Sequence, residues 1–272
     1  MIEARQLSVI AAKELRDRLR NRWVLAIALV FAVFSLVIAY AGGAQQGAVG
    51  VRSLEFTIAS LVSLVIYLVP LIALLLGFDA IVGERERGSL DLLLALPITR
   101  GELLLGKYLG LAAALALAML AGLAVVGGVL VRKFGGDALY HYGGFVLSAL
   151  LLGLAFLSLA LLISVVARDR TRASGLAIAA WFFFVLVFDL LLLGALVASA
   201  GRYGGAIFPY LLLLNPADVF RILNVFSLDE VRNLYGVASI VPRTLGDMRL
   251  LGIAMFAWIV APLAVASWRF KP

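Results

Sequence analysis

Residues 83–107 read G-E-R-E-R-G-S-L-D-L-L-L-A-L-P-I-T-R-G-E-L-L-L-G-K, with long hydrophobic runs before (about 56–82) and after (from about 103). Glu84, Arg85, Glu86 and Arg87 place four charges directly after a membrane segment, and Glu84 and Arg87 have the i, i+3 spacing of a helical ion pair. Leu90, Leu93 and Leu94 then return at helical spacing. Pro97 disfavours helix at the residue before it and closes the segment. Thr99 and Glu102 form a T-x-x-E capping box, which opens the next helix. The pattern is span, short amphipathic helix over about 84–96, break, capped span. Such a short helix cannot bury its apolar face within a loop, so that face is expected to lie against the bilayer or another protein.

The rest of the chain is oily. Of 272 residues, 64% are hydrophobic and 14% charged, against about 25% charged in soluble domains. Mean hydropathy is +1.10. The fold class is all-α: a polytopic membrane protein forming a single transmembrane domain over 1–272. A crossing helix needs roughly 20 apolar residues. Six stretches qualify, at about 23–41, 56–82, 103–131, 145–167, 173–200 and 250–268. The second is long enough to tilt or kink, and Pro70 near its middle supplies a cause. Trp23, Tyr40, Tyr108, Tyr203 and Trp268 stand near span ends and suit interfacial belts.

With both termini placed in the cytoplasm, fifteen Lys and Arg side chains fall inside and eight outside, Arg221 among the latter. That bias predicts a multi-pass protein of a bacterial inner membrane with both termini inside. It also explains the net charge of +7 without nucleic acid. Within residues 1–22, Leu7, Ala11, Leu15 and Leu19 recur every four positions among basic residues, which predicts an interfacial helix on membrane lipid. Ala39-Tyr40-Ala41 resembles a signal cleavage site, but the basic region is too long and the apolar run is span-length.

Chemistry is sparse. There is no Cys and one His, which excludes disulfides, a thiolate metal site, a Cys nucleophile and an HExxH motif. His141, between Tyr140 and Tyr142, reads as a surface residue. Met119, Met248 and Met255 form no close pair, so no ladder of soft copper ligands is expected. Gly101 to Lys107 matches a P-loop as far as the lysine, but Tyr108 stands where Ser or Thr must be. Gly106-x-x-x-Gly110 instead offers a small-residue face for helix packing. No cofactor, metal or catalytic residue is expected. Asp189, inside the fifth span, is the intramembrane polar candidate: a charge there costs about 2.5–3.5 kcal/mol on insertion scales. Protonation, or pairing with a backbone group or across a dimer interface, would answer that cost. Asp79 reaches the membrane interface.

Outside the spans, Asn215-Pro216 is a good helix opening, with Asn as cap and Pro at the first position. Val219, Phe220, Leu223 and Phe226 form an apolar stripe. Ser227 with Glu230 makes a second capping box and Gly236 offers a C-cap. Two short helices at about 215–236 are expected at the outer membrane surface or dipping into it.

The 83–107 stretch, with Tyr108, is similar to the signature of ABC-2 type transporter permeases, E-R-E-x-G-T-L-E-x-L-L-x-x-P-(I/V)-S-R followed by a Gly-Lys pair. Ser89 stands for Thr, Asp91 for Glu and Thr99 for Ser, each keeping its chemical type. The resemblance covers essentially the whole chain. It implies a homodimer or heterodimer of permeases, the homodimer being expected here, each gripped by a cytoplasmic ATPase subunit. It implies a coupling helix with Glu84, Arg85, Glu86, Arg87, Gly88, Ser89, Leu90, Leu93, Pro97 and Arg100 at the ATPase contact. Arg168, Arg170 and Arg172 supply a second, smaller contact, and re-entrant helices precede the last span. L-L-N-P-A-D-V-F-R-I-L, D-E-V-R-N-L-Y-G and the N-terminal A-A-K-E-L-R-D-R-L-R-N-R-W are similar to the branch that serves nitrous oxide reductase maturation. That likeness implies a dedicated ATPase, a periplasmic β-helical subunit and a role in assembling a copper–sulfur cluster.

Two outcomes share such machinery: export of a small species along a dimer interface, or mechanical transmission to a periplasmic partner. The scarcity of polar residues in the spans leans to the second. A secondary transporter needs paired intramembrane ions or broken helices in matching halves. A membrane enzyme needs a His pair, a Cys or a G-x-S-x-G motif, none of which is present.

Overall fold

The structure, a computed structural model, describes residues 4–20, 22–41, 54–198, 208–226 and 247–270. Among these, helix is the one regular structure. Five helical runs are long and apolar enough to cross a bilayer, or six when the first two helices count as one bent span.

Two long helices form the centre. α6 (Arg100–Phe134) and α7 (Gly136–Val166) are joined by Gly135 alone, whose φ of 78° only glycine adopts readily. The predicted capping box opens α6: the Thr99 hydroxyl accepts from the Glu102 amide at 3.2 Å, and the Glu102 carboxylate accepts from the Thr99 amide at 2.7 Å. Tyr142 bolts the pair together. Its ring lies where a Cβ on Gly127 would reach, and its hydroxyl donates to the Leu123 carbonyl at 2.7 Å. α7 begins nine residues before the expected start of the fourth span.

α1 (Ala4–Arg20) and α2 (Trp23–Ala41) run along α6. The small-residue face at Gly106 and Gly110 receives α1: a Cβ on Gly106 would lie 2.7 Å from Ile10 Cβ, and one on Gly110 would lie 2.6 Å from the Ala11 carbonyl oxygen. The predicted stripe of α1 is therefore only part of its packed face, which also takes Ile10 and the buried Glu14. Leu19, the last of that stripe, is exposed.

α3 (Leu54–Gly77) continues through Pro70 and packs on α7. The coupling helix expected as one piece over 84–96 is two. α4 (Val82–Glu86) and α5 (Ser89–Leu94) are separated at Gly88, whose φ of 70° breaks the helix. The apolar face of this segment turns into the bundle rather than towards lipid: Leu90 is buried, and Leu93 and Leu94 pack on the core. The fifth span is α8 (Arg170–Phe182), a π-helical turn (Phe183–Val187) and α9 (Phe188–Ala198). It is the least buried of the crossing runs.

α10 (Phe208–Leu211), a 3₁₀ turn (Leu212–Leu214) and α11 (Pro216–Phe226) precede α12 (Met248–Arg269). Asn215 caps α11 as expected, its side-chain oxygen accepting from the Ala217 amide at 3.0 Å. The helix does not lie on a surface. Asn215, Ala217, Asp218, Val219 and Phe220 are all buried, and α11 wedges among α3, α7 and α12. Trp258, midway along α12, donates to the Leu213 carbonyl at 3.0 Å, which places the start of α11 at mid-bundle depth. The second expected helix, with Ser227, Glu230 and Gly236, lies outside the described residues, as does Tyr203. Tyr108 is no belt residue: it is buried and donates to the Leu154 carbonyl at 3.2 Å. Tyr40 and Trp268 are exposed.

Candidate functional site

α1, the α4–α5 hinge, the α7–α8 turn and the end of α12 gather at one end of the bundle. α3 stops at Gly77, and residues 78–81 turn before α4 begins. Such a break orphans backbone donors. Ser164 of α7 answers two of them, its hydroxyl oxygen accepting from the amides of Ile81 at 2.8 Å and Val82 at 3.1 Å. The break is thereby fixed to α7.

The charged run then divides its labour. The expected Glu84–Arg87 pair does not form as such. Glu84 is drawn inward, where Lys107 reaches it at 3.2 Å and the Ser89 hydroxyl bonds it across the Gly88 break. Arg87 folds back on its own helix and donates to the Gly83 carbonyl at 3.0 Å. Arg85 donates to the carbonyls of Ala167 at 2.9 Å and Val165 at 3.3 Å, at the C-terminal end of α7. Glu86 accepts from the Arg170 amide at 2.7 Å, at the N-terminus of α8. A cation thus sits on a negative helix end and an anion on a positive one. Each such contact is worth about 0.3–1 kcal/mol when exposed and more when partly buried. Neighbouring residues of the hinge hold both helices that flank the second turn.

Acid–base contacts extend the brace. Lys107, almost fully buried, also meets Glu14 of α1 at 3.1 Å. Glu14 pairs with Arg18 at 3.3 Å, Arg18 with Asp79 at 3.6 Å, and Asp79 with Arg170 at 3.1 Å. Asp169 caps α8 through the Arg172 amide at 2.7 Å and pairs with the Arg172 guanidinium at 3.2 Å. Of the residues expected at the coupling site, Glu84, Arg85, Glu86 and Arg170 are brought together. Arg168 and Arg172 stay exposed, Ser89 ties the break, and Gly88 makes it. Arg100 stands apart, over the Phe270 ring at 5.6 Å. Leu90 and Leu93 anchor the segment, while Leu92 (73% exposed), Leu96 and Pro97 face outward. Glu14, Asp79, Lys107 and Ser164 belong to the site although the charge pattern alone did not single them out; their partners lie far away in sequence.

A second polar cluster lies deeper. Asp189 meets Arg221 of α11 at 3.1 Å, and Arg221 also bonds Asp218 at 2.6 Å. Asn215 donates to Asp218 at 2.9 Å and to the Phe184 carbonyl at 2.8 Å. One turn on, Asn224 donates to the Ser148 hydroxyl at 2.9 Å. Asp189 therefore pairs with a side chain of its own chain, and both it and Arg221, counted among the exterior charges, are only partly buried. Among the described residues no group of three His, Cys, Asp or Glu could hold a metal ion.

Among the described residues these contacts form a network of ion pairs and helix-end bonds that ties α1, α4, α6, α7 and α8 at one end of the bundle. Residues 8–272 match the family described as ABC-2 family transporter protein. Two relatives bear the name Probable ABC transporter permease protein NosY. The one from Stutzerimonas stutzeri is 44% identical over 266 residues, and the one from Pseudomonas aeruginosa is 47% identical over 268. Each alignment covers 96% of both chains. This chain is similar to them along nearly its whole length, and it belongs to the ABC-2 family of transporter permeases.

Proposed function

We propose that this permease turns ATP hydrolysis by a cytoplasmic partner into movement delivered towards the periplasm, in the assembly of the copper–sulfur cluster of nitrous oxide reductase. An ABC permease is the non-catalytic membrane component of its transporter and works with a separate ATPase subunit. In this reading the chain is a homodimer in a bacterial inner membrane, with both termini and the hinge in the cytoplasm. Two ATPase subunits grip the hinges, and a periplasmic β-helical subunit receives the movement. The whole-length identity to NosY proteins supports the maturation role.

One observation carries the coupling role: the hinge holds two helix ends at once, Arg85 on α7 and Glu86 on α8. A push on α4–α5 is thereby a push on the fourth and fifth spans. Leu92 and Leu96, exposed apolar side chains on a segment otherwise anchored inward, with Pro97 next to Leu96, form the surface offered to the ATPase.

The test is Leu92→Glu, alone and with Leu96→Glu. Membrane insertion should persist while the ATPase no longer co-purifies, and the reductase should accumulate folded but without its cluster. Full ATPase retention in the double variant overturns the docking surface. Fully loaded reductase in cells lacking the permease overturns the maturation role. Glu84→Lys and Glu86→Lys should also abolish activity, although the Lys107 contact makes Glu84→Lys a test of the brace as well.

A further inference from the structure

Span five starts beside the hinge and, partway along, makes two grips on α11. At its start, the Arg170 amide is held by Glu86 and the Arg170 guanidinium by Asp79. Thirteen residues on, the helix opens into the π turn Phe183–Val187. A π turn changes the backbone pairing and is frequent at functional sites. Here the carbonyl of Phe184 accepts from the Asn215 side chain at 2.8 Å. Five residues later Asp189 holds Arg221 at 3.1 Å. The two grips seize α11 at its cap and one and a half turns further on.

Building this contact within a membrane is costly. Intramembrane ions carry a penalty of about 2.5–3.5 kcal/mol each on insertion scales. Both side chains are only partly covered by the protein, yet removing Arg221 would leave the Asp189 charge without that partner within a span. Asp189 and Arg221 therefore move together. Within one chain span five is also the least buried of the crossing runs.

Resting on the coupling reading above, we infer that span five is the output rod of the permease. Asp189, Arg221 and Asn215 are positioning residues that pass its displacement to α11, and through α11 to the face opposite the hinge. No bond is made or broken.

The chain has no cysteine, so Leu214→Cys, at an exposed position beside the Asn215 cap, takes a single spin label per chain. The labelled permease is purified with its ATPase in lipid nanodiscs, and spectra are compared without nucleotide and with ATP plus vanadate. The parent should show a nucleotide-dependent change in line shape. Arg221→Gln and Asn215→Ser should each cut that change at least fivefold while ATP turnover stays within twofold. Serine keeps an N-cap oxygen but cannot reach Phe184, so it separates the grip from the cap. Arg221→Lys should restore at least half of the change. If Arg221→Gln or Asn215→Ser responds in full, or if an ATPase-bound, active parent shows no change at position 214, the output-rod assignment is overturned. A parent that cannot hold its ATPase overturns the coupling reading, and the rod with it. Should Arg221→Gln fail to fold, Asn215→Ser decides alone.

Discussion

Lys107 of α6 reaches Glu14 of α1 at 3.1 Å, across 93 residues of sequence and almost out of contact with solvent. The same ammonium serves Glu84 of the hinge at 3.2 Å. One cation therefore ties three elements. Lys107→Met should leave two carboxylates short of a partner and destabilise the protein by about 3–5 kcal/mol, the usual cost of breaking a buried pair from one side. Adding Glu14→Gln should recover part of the loss. Thermal unfolding of the purified permease in detergent reads both. A Lys107→Met variant as stable as the parent would show that the trio bears no load.

Ser164 is a small residue with a large expected effect. Its hydroxyl receives two buried amides at the break before α4. Ser164→Ala leaves both unpaired, at about 1–3 kcal/mol for each unsatisfied group. Amide exchange at Ile81 and Val82 should speed up well before the rest of α3 responds. Unchanged protection at these two amides would be inconsistent with the bridge.

Gly110→Ala should displace α1. A Cβ there falls 2.6 Å from the Ala11 carbonyl oxygen and 2.6 Å from Glu14 Cβ, and backbone cannot step aside as a flexible side chain can. Overpacking of this kind costs about 1–3 kcal/mol. Trypsin should cut faster at Arg18, which the native packing half-buries. Equal cutting rates would mean that α1 is not seated where the structure puts it.

Gly88 separates backbone strain from contact. Nothing lies within 4 Å of a Cβ added there, yet its φ is 70°. Gly88→Val should cost about 1–2 kcal/mol through the left-handed conformation alone, and Gly88→Asn distinctly less. ATPase stimulation by the two variants should follow the same order. If valine proved as good as asparagine, the break would not depend on that conformation.

What the sequence made legible was local or periodic. The Thr99–Glu102 box spans four residues and needs nothing distant, and it formed as read. The apolar runs announced the crossing helices for the same reason. The Gly106–Gly110 face was recognisable as a packing surface, but not as the seat of α1, since Ile10 and Ala11 lie about a hundred positions away. Glu84 and Arg87 had the spacing of a pair, but other partners won: Lys107 from α6 took Glu84, and the carbonyl of Gly83, four residues back on the same helix, took Arg87. Charge counting put Arg221 with the exterior charges but could not show its partners, Asp189 and Asp218 of the same chain. Asp189 stood out as costly from composition alone, but its answer lay 32 residues on, in a segment whose hydropathy does not mark it as a span.

The α6–α7 pair has a mechanical corollary. Thirty-five and thirty-one residues make rods of about 52 Å and 46 Å at 1.5 Å per residue, against a hydrocarbon layer of about 30 Å. Linked through a single glycine and clasped by Tyr142, they act as one stiff mast that leans in the lipid or stands proud of it. Leaning the mast by about 10° at its foot swings its tip by about 9 Å over that length. Small strokes at the base thus arrive at the far end geared up, without any flexible loop to absorb them.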